Sequence, residues 1–526
     1  MKKRFLSVCL AIISSLSVTF SGCSLIENKG DGTPPPAPDY SSSTLQYDFY
    51  GYSSCIDGWN IDGVAYDTDE DYLSVERIKE YKDAGMTIYF PQAGALVTDA
   101  EMQDFENSNA KKALDYSLEA GIDKVILMDT RIQALSKPSF GTEKQIKEKV
   151  LNGTILDEAG LIGEDKQFAT EAELDAYIAE CMAPYKDHEA FYGVMLGDEP
   201  YFYHAKNYGQ VYRSIKRVCP EAYIQYNLHP ISSTEEEENR KIYFTGCADE
   251  EGLTQNEKMV QAYEQYIGLF LESTGAKYIQ YDQYPFRNAD KVDVYYILGL
   301  QVASKLAQEY GVEFYFVTQT YGQTDNVTNP RMLSQADLYW LNNMLVGFGI
   351  KQISYFTYFT KADNNREHFI DGNSFLTWKG EKTDIYHWMK QIMAEEQKFA
   401  PTILNFDYSS SKVYIAETTN FDCTYAMRKI ETPEFTALKD VNIDKEVALV
   451  TELYDAEKQN YIYMVQNIVD STRKGSKAYQ TTVLTFDKQY KYAAVYVKGE
   501  KTLVKLDKGT LTLEHKAGEA TYVMPY

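Results

Sequence analysis

A unit of amphipathic helix, glycine and apolar strand repeats along the sequence, and it constrains the fold more than any other feature. Residues 110–120 form such a helix before Gly121 and the apolar run at 125–128, and residues 259–273 do so before Gly275. Glycine just after a helix accepts the left-handed conformation that turns the chain back toward a sheet. Helices and strands that alternate in this way predict right-handed βαβ units and a parallel sheet.

Two further units, with strands at 191–197 and 222–228, and a first strand near 45–52 bring the strand count to eight. The sequence therefore predicts an α/β fold, a (β/α)8 TIM barrel spanning about 45–400. The polar insertion at 131–169 follows the third strand, so we expect it on the loop face of the barrel.

From Pro401 the period changes to short strands separated by turns, which predicts a C-terminal antiparallel β-sandwich over 401–526. We interpret it as an accessory domain. No Pro/Gly/Ser-rich stretch separates it from the barrel, so we expect an apolar interface between them, with a boundary at 398–408.

The first 44 residues resemble an export signal and a tether. Three basic residues precede an apolar segment at 5–20, which ends before Cys23 in a pattern similar to a bacterial lipobox. This resemblance implies a lipoprotein signal peptide at 1–22 and lipidation of Cys23. Residues 23–44 then read as a flexible tether. We expect an exported protein, anchored by its lipid to the outer face of a bacterial membrane; an ordinary secretory signal with an incidental cysteine is the alternative.

Composition narrows the possible partners. The formal net charge of −25 argues against nucleic acid and against an anionic membrane surface as a partner. The 45 tyrosines mildly favour a sugar ligand, because tyrosine combines a flat apolar face with a polar tip. The cysteines and histidines are scattered, so we predict neither a metal site nor a disulfide framework, although one or two disulfides are possible. We expect no cofactor and a monomer.

The apolar run at 191–196 stops at Asp198, Glu199 and Pro200. Proline cannot continue a buried strand, so these two acids should lie at its carboxyl end, where parallel α/β folds place their active sites. A helix cap and a solvated Glu are the simpler alternative for one such pair. Other predicted strands end in polar residues too. Together these carboxylates, amides and tyrosines suit a polyhydroxylated ligand and two-carboxylate glycosyl chemistry. The candidates besides Asp198 and Glu199 are Asp129, Asn227, His229, Asp282, Tyr284, Gln319, Tyr355 and Tyr358.

Four short motifs add a family resemblance. GDEP at 197–200, YNLHP at 226–230, YDQYPF at 281–286 and QISYFTYF at 352–359 resemble stretches of bacterial secreted glycoside-hydrolase-like proteins. These are TIM-barrel proteins with a C-terminal β-domain, distantly similar to family 42 beta-galactosidases. The resemblance implies a barrel glycosidase that acts on extracellular carbohydrate.

The sequence departs from the wider group of retaining barrel glycosidases at one essential position. These enzymes carry an acid/base Glu after strand four, which Glu199 matches, and a nucleophilic Glu after strand seven. Here Gln319 stands near the second position, and residues 316–321 contain no carboxylate. Asp282 is the best remaining partner. We therefore predict Glu199 as general acid and Asp282 as base or nucleophile, with the other candidates as sugar ligands.

The missing strand-seven Glu keeps two other classes open. One is a carbohydrate-binding surface lipoprotein that has lost catalysis, and the other is a structural or adhesion lipoprotein in which the barrel serves as a scaffold. Glycan binding would exclude the second of these, and release of reducing sugar would exclude the first.

Overall fold

The computed structural model describes residues 24–25, 36–53, 60–61, 64–65, 73–231, 252–288, 291–323, 330–360, 373–377, 380–473 and 479–526. The signal peptide and Cys23 lie outside these ranges. The described α-helices are α1 (Val75–Asp83), α2 (Asp99–Met102), α3 (Asn109–Ala120), α4 (Thr130–Ser136), α5 (Glu143–Leu151), α6 (Ile155–Glu158), α7 (Glu171–Met182), α8 (Ala205–Val218), α9 (Gln255–Thr274), α10 (Tyr296–Tyr310), α11 (Gln335–Gly347), α12 (Asp384–Ile403) and α13 (Thr424–Met427).

Thirteen strands are described within the first 403 residues. They are β1 (Ser24–Leu25), β2 (Asp48–Gly51), β3 (Asn60–Ile61), β4 (Val64–Ala65), β5 (Leu96–Val97), β6 (Val125–Asp129), β7 (Phe191–Asp198), β8 (Tyr223–Asn227), β9 (Tyr278–Gln283), β10 (Phe286–Arg287), β11 (Lys291–Val292), β12 (Glu313–Gln319) and β13 (Gln352–Phe356). Two four-stranded sheets result, ordered β2-β13-β12-β9 and β5-β6-β7-β8. Every pairing within them is parallel, as the helix–glycine–strand repeat predicts.

Single parallel bridges connect the two sheets at both of their edges. Leu228 pairs with Tyr281, which joins the end of β8 to β9, and Tyr52 pairs with Phe90 beyond the end of β2. Tyr89, next to Phe90, bridges in turn to Val125 of β6. Tyr89 and Phe90 thus link β2 to β6.

Glycine ends three of the long helices in the predicted way. Gly121, Gly275 and Gly311 follow α3, α9 and α10 with φ values of 83°, 72° and 62°, in the left-handed region that side chains disfavour. Each reversal leads directly into a buried strand of the parallel sheets. The repeat in the sequence therefore reflects a real structural period.

The remaining strands form an antiparallel β-sandwich. They are β14 (Asp407–Ile415), β15 (Leu438–Ile443), β16 (Val447–Asp455), β17 (Asn460–Asn467), β18 (Gln480–Phe486), β19 (Tyr492–Val497), β20 (Glu500–Lys505), β21 (Thr510–His515) and β22 (Ala520–Pro525). A seven-stranded sheet, ordered β1-β20-β19-β22-β17-β16-β14, faces a three-stranded sheet, ordered β15-β18-β21. The predicted antiparallel sandwich is therefore present.

The large sheet of the sandwich packs against helices of the α/β region. Leu449 and Met464 belong to the same buried apolar cluster as α11 and α12. Gly347 allows this contact, because a Cβ atom there would lie 2.3 Å from the sulfur of Met464. The Trp340 indole also donates a 2.8 Å hydrogen bond to the Ile468 carbonyl. Helix α12 ends at Ile403 and β14 begins at Asp407, so the connection between the two parts is short.

Candidate active site

The GDEP motif lies at the carboxyl end of β7, where the strand leaves the sheet. Gly197 is required there, since a Cβ atom at this position would lie 2.1 Å from the Tyr208 hydroxyl oxygen. Glu199 has a φ of 43°, a left-handed conformation that is uncommon for a residue with a side chain. Its backbone amide donates a 2.7 Å hydrogen bond to the Asn227 carbonyl of β8. Strained residues of this kind cluster at functional sites.

Asp198 connects β7 to its neighbours. It pairs with Asn227 in the parallel register, and Asn227 Nδ2 donates to Asp198 Oδ1 at 3.1 Å. On the other side, Lys137 Nζ donates to the Asp198 carbonyl at 2.5 Å. Lys137 follows α4, so the predicted insertion at 131–169 does contact the carboxyl end of β7.

Asp282 lies near the end of β9 and only 7% of its surface is exposed. Burial raises its pKa well above the ordinary range, and the carboxylates of Glu199 and Asp198 raise it further. A hydrogen bond from Tyr284 opposes this shift, because it favours the ionised carboxylate. The Tyr284 ring stacks on Phe356 at 5.3 Å between centroids. The structure thus brings Asp198, Glu199, Asn227, Asp282 and Tyr284 together.

Two acceptor atoms of this group are buried without a hydrogen-bond donor among the described residues. They are Asn227 Oδ1 and Asp282 Oδ1. Buried acceptors in proteins are nearly always paired. The two oxygens are therefore available to a ligand that donates hydrogen bonds, as a hydroxyl group does.

Glu199 is the carboxyl group whose protonation matters near neutral pH. Burial raises its pKa to about 7, the Asp198 carboxylate raises it as well, and the Lys137 ammonium opposes both. His229 Nδ1 lies 3.7 Å from Glu199 Oε1. Burial and Lys137 lower the pKa of His229 to about 3, so this imidazole is neutral and forms no ion pair with Glu199.

Four predicted ligand residues serve the fold instead, which corrects their assignment. Asp129 is fully buried, where it caps α4, pairs with Arg131 at 2.7 Å and accepts a hydrogen bond from Tyr185. Gln319 accepts from the Phe286 amide at 3.1 Å and its Nε2 faces carbonyls of neighbouring loops. Both side chains are engaged within the protein.

The two tyrosines of the β13 region are the other corrections. Tyr355 is buried and donates to Asn342 of α11 at 3.2 Å, on the side of the sheet that faces the helices. The cause is the two-residue period of a strand, in which successive side chains point to opposite faces. Ser354, the residue before Tyr355, bonds to the Tyr50 side chain on one face, so Tyr355 points to the other. The Tyr358 ring packs against Tyr81 at 4.7 Å. Neither ring belongs to the carboxylate group.

Sequence reasoning missed three residues near the carboxylates. They are Lys137, Tyr201, whose ring stacks on His229 at 5.3 Å, and Tyr52, whose hydroxyl accepts from Gln225 Nε2 at 2.7 Å. Tyr201 directly follows the GDEP motif, so its position was a usable signal. Lys137 and Tyr52 are distant in sequence from Asp198, and no local pattern marks them.

Among the described residues, no group of histidines, cysteines and acids could hold a metal ion, and Cys181, Cys219 and Cys423 are free thiols. Within the same ranges no helix has the length and apolar character needed to cross a membrane.

No protein-family model matches this sequence, and no curated protein matches it at a significant level. Solved structures similar to this chain include glycoside hydrolases at low identity. One is a GH27 β-L-arabinopyranosidase from Geobacillus stearothermophilus, with 12% identity, 92% of this chain and 97% of that chain covered, and a TM-score of 0.46.

Two other solved structures are similar to this chain to about the same degree. A family 5 glycoside hydrolase from Bacteroides vulgatus has 11% identity, coverage of 91% and 89%, and a TM-score of 0.45. A family 39 glycoside hydrolase from Bacteroides cellulosilyticus has 12% identity, coverage of 92% and 81%, and a TM-score of 0.41. Similarity this low assigns neither an activity nor a substrate to this chain.

Proposed function

We propose that this protein is a glycoside hydrolase that acts on extracellular oligo- or polysaccharide through Glu199 and Asp282. The observation that carries the proposal is the group of three carboxylates at the carboxyl ends of β7 and β9. Within it, burial and mutual repulsion raise the pKa of both Glu199 and Asp282. Two titratable groups whose ionisation is coupled can hold one proton between them, which glycoside hydrolysis requires.

In the proposed mechanism, Glu199 is the general acid and Asp282 is the base or nucleophile. With a pKa of about 7, Glu199 carries a proton in much of the enzyme near neutral pH and can donate it to the leaving glycosidic oxygen. Asp282 acts in its ionised form; burial and the neighbouring carboxylates raise its pKa, and the Tyr284 hydrogen bond opposes that shift. As a base it removes a proton from the water that attacks the anomeric carbon. As a nucleophile it attacks the anomeric carbon itself to form a glycosyl ester, which a water deprotonated by Glu199 then hydrolyses. In both cases the sugar leaves with a hydroxyl group from water.

The remaining polar groups would hold the sugar. Asn227 Oδ1 and Asp282 Oδ1 are buried acceptors that sugar hydroxyls can satisfy. His229 is neutral and close to Glu199, so it can exchange hydrogen bonds with a hydroxyl without adding charge. The Tyr284 ring offers an apolar face to a pyranose.

We also propose that the two parallel sheets form one closed (β/α)8 barrel. The parallel bridges from Leu228 to Tyr281 and from Tyr52 through Phe90 to β6 support this arrangement, since they continue the parallel pairing around both edges. In such a barrel Asp198, Asn227 and Asp282 lie on adjacent strands, with neighbouring strands about 4.8 Å apart. The proposed domains are the barrel at 45–400 and the sandwich at 401–526.

The N-terminal sequence supports a proposal about location. We propose export and lipidation at Cys23, with residues 1–22 removed and a tether before the barrel. A multiply acylated cysteine anchors a protein firmly, whereas a single chain does not.

One observation favours a second candidate, a carbohydrate-binding lipoprotein without catalysis. The amide of Gln319 occupies the end of β12 and bonds to the neighbouring backbone, so that position offers neither a carboxylate nor an open space for one. A site that binds sugars with Asn227, His229 and Tyr284 does not need the second acid.

A screen of the soluble protein, starting at about Ser41, separates the two candidates. Aryl glycosides and plant or host glycans are the substrates, and release of aglycone or reducing sugar is the readout. The proposal expects release from at least one substrate, and no release in the double variant Glu199→Gln/Asp282→Asn. Glycan binding without any release would favour the second candidate.

A further inference from the structure

A second cleft lies between α11 and the β-sandwich, outside the carboxylate group. Its volume is about 670 Å³, which is within the usual range for ligand sites, and such sites often lie between domains. Its walls come from the first turns of α11, from Ser471 and Thr472, and from the β19–β20 and β21–β22 turns of the sandwich.

The cleft opens near the same edge of the sheets as the candidate active site. Gln319 ends β12 at that edge, and its Nε2 faces the Arg331 carbonyl at 3.4 Å. Arg331 then stacks on Phe286, four residues beyond Asp282 in the chain. Three residues after Arg331, Ser334 caps α11, whose first turn lines the cleft. A short, packed path therefore connects the two sites.

Two lysines in the cleft have uncommitted ammonium groups. Lys498 Nζ lies 4.5 Å from the centroid of the Tyr339 ring, and Lys516 Nζ lies 5.1 Å from that of Tyr479. Neither ammonium group is within ion-pair distance of a carboxylate among the residues that the structure describes. The tyrosine faces restrict both side chains without neutralising them. This arrangement is notable in a chain with a net charge of −25.

The acids that border the cleft are already engaged. Asp337 accepts from Arg331 at 2.8 Å and from Ser471 at 2.7 Å. Glu519 accepts from the Lys516 backbone amide at 2.9 Å. Glu519 keeps its negative charge, and the groups of the cleft that can attract an anion are Lys498, Lys516 and the Gln335 side chain, with the Tyr339 ring beside them. Such a set matches an oxyanion carried on a sugar ring.

We propose that this cleft binds an acidic saccharide, with Lys498 and Lys516 pairing to a carboxylate or sulfate group of the sugar. The argument for an anion site uses the two lysines and does not depend on the proposed function. Only its use as a distal subsite for a polymeric substrate rests on the proposed function. A chain bound at both sites would then carry uronic acid or sulfated units at a distance from the bond that is cleaved.

Binding can be tested without catalysis. Calorimetric titration of the Glu199→Gln protein would use digalacturonate, a chondroitin sulfate disaccharide and, as the neutral control, galactobiose. Inorganic sulfate separates anion binding from sugar binding. We expect the acidic disaccharides to bind, each lysine-to-glutamine change, Lys498→Gln or Lys516→Gln, to weaken binding about tenfold, and affinity to fall with added salt.

Lys277→Gln is the matched control, because it removes one charge just before β9, at the opposite edge of the sheet. It should leave the affinity unchanged. Tight binding of only carboxylated or only sulfated sugar identifies the group recognised. The proposal is overturned if neither acidic disaccharide binds, or if galactobiose or inorganic sulfate binds as tightly as the acidic disaccharides. It is also overturned if Lys498→Gln and Lys516→Gln bind the acidic disaccharides as tightly as the protein that keeps both lysines. Because the titration needs no turnover, its result does not depend on whether the protein is a glycoside hydrolase.

Discussion

The Glu199 amide donates a 2.7 Å hydrogen bond to the Asn227 carbonyl, and it does so from a left-handed backbone conformation. The bond continues the pairing of β7 with β8 one residue beyond the regular strand. It holds the Glu199 carboxyl beside Asp198, where burial and the Asp198 carboxylate raise the pKa of Glu199. Backbone strain and an unfavourable electrostatic environment thus coincide at one residue.

The first prediction concerns this strain. Glycine adopts a positive φ without steric conflict, so Glu199→Gly should raise the free energy of unfolding by up to about 1 kcal/mol while it removes activity. Glu199→Gln keeps a side chain at this φ and is the control; at about pH 4.5, where Glu199 is protonated in the folded protein, its stability should be close to that of the parent. Urea denaturation of the three proteins measures the difference. A Gly variant less stable than the Gln variant would contradict the strain argument.

The second prediction concerns stability and pH. The folded state holds the proton of Glu199 more tightly than the unfolded chain does, since its pKa is about 7 rather than 4.5. Its contribution to stability is therefore complete below about pH 4.5 and is lost as the pH rises through about 7. The raised pKa of Asp282 acts in the same direction. Denaturation between pH 4 and 8 should show stability falling less steeply in Glu199→Gln/Asp282→Asn than in the parent protein. Equal slopes would be inconsistent with these pKa shifts.

The third prediction assigns a positioning role to Lys137. Its ammonium group bonds to the Asp198 carbonyl and lowers the pKa of Glu199. Lys137→Met should therefore move the basic limb of the activity profile to higher pH, because Glu199 would keep its proton longer. Lys137→Arg retains the charge and should move the limb much less. A Met variant whose limb stays in place or moves to lower pH would exclude this role.

The fourth prediction concerns the contact between the α/β region and the sandwich. Arg331 donates to Asp470 at 2.9 and 3.0 Å, and both side chains are almost fully buried. Asp470→Asn should lower the free energy of unfolding by about 2 kcal/mol, since Arg331 loses one of its two buried carboxylate partners and keeps only Asp337.

Glu500→Gln is the control for this change. It breaks an exposed ion pair between α12 and β20, Lys398 with Glu500 at 2.8 Å, and should leave the stability close to that of the parent protein. Limited proteolysis adds a second readout, because an intact apolar interface should protect residues 398–408. Release of two stable fragments from the parent protein would count against this interface.

The sequence predicts those features that local chemistry determines. Gly121 and Gly275 end helices because only glycine accepts their φ without strain, and Pro200 ends β7 just after its two acids. These local rules were enough to anticipate the parallel sheets and the position of Asp198 and Glu199.

Features that depend on strand register or on distant contacts were not predictable in the same way. Tyr355 was expected at the site because it ends a strand, but the strand's two-residue period turns it toward α11. Gln319 does end β12, yet neighbouring loops bind its amide. Lys137 reaches Asp198 across 61 residues of sequence, and no motif marks that contact.

The most direct measurement of the central claim is turnover by Glu199→Gln and by Asp282→Asn on whichever substrate the screen identifies. Each amide keeps the shape of its side chain but removes the titrating proton. The account predicts that turnover falls by about 10² to 10⁴-fold in both, while calorimetry shows sugar affinity close to that of the parent protein. Glu264→Gln, which alters a carboxylate paired with Lys305 away from the site, should retain full turnover. Turnover at the parent rate in both amide variants would contradict the account.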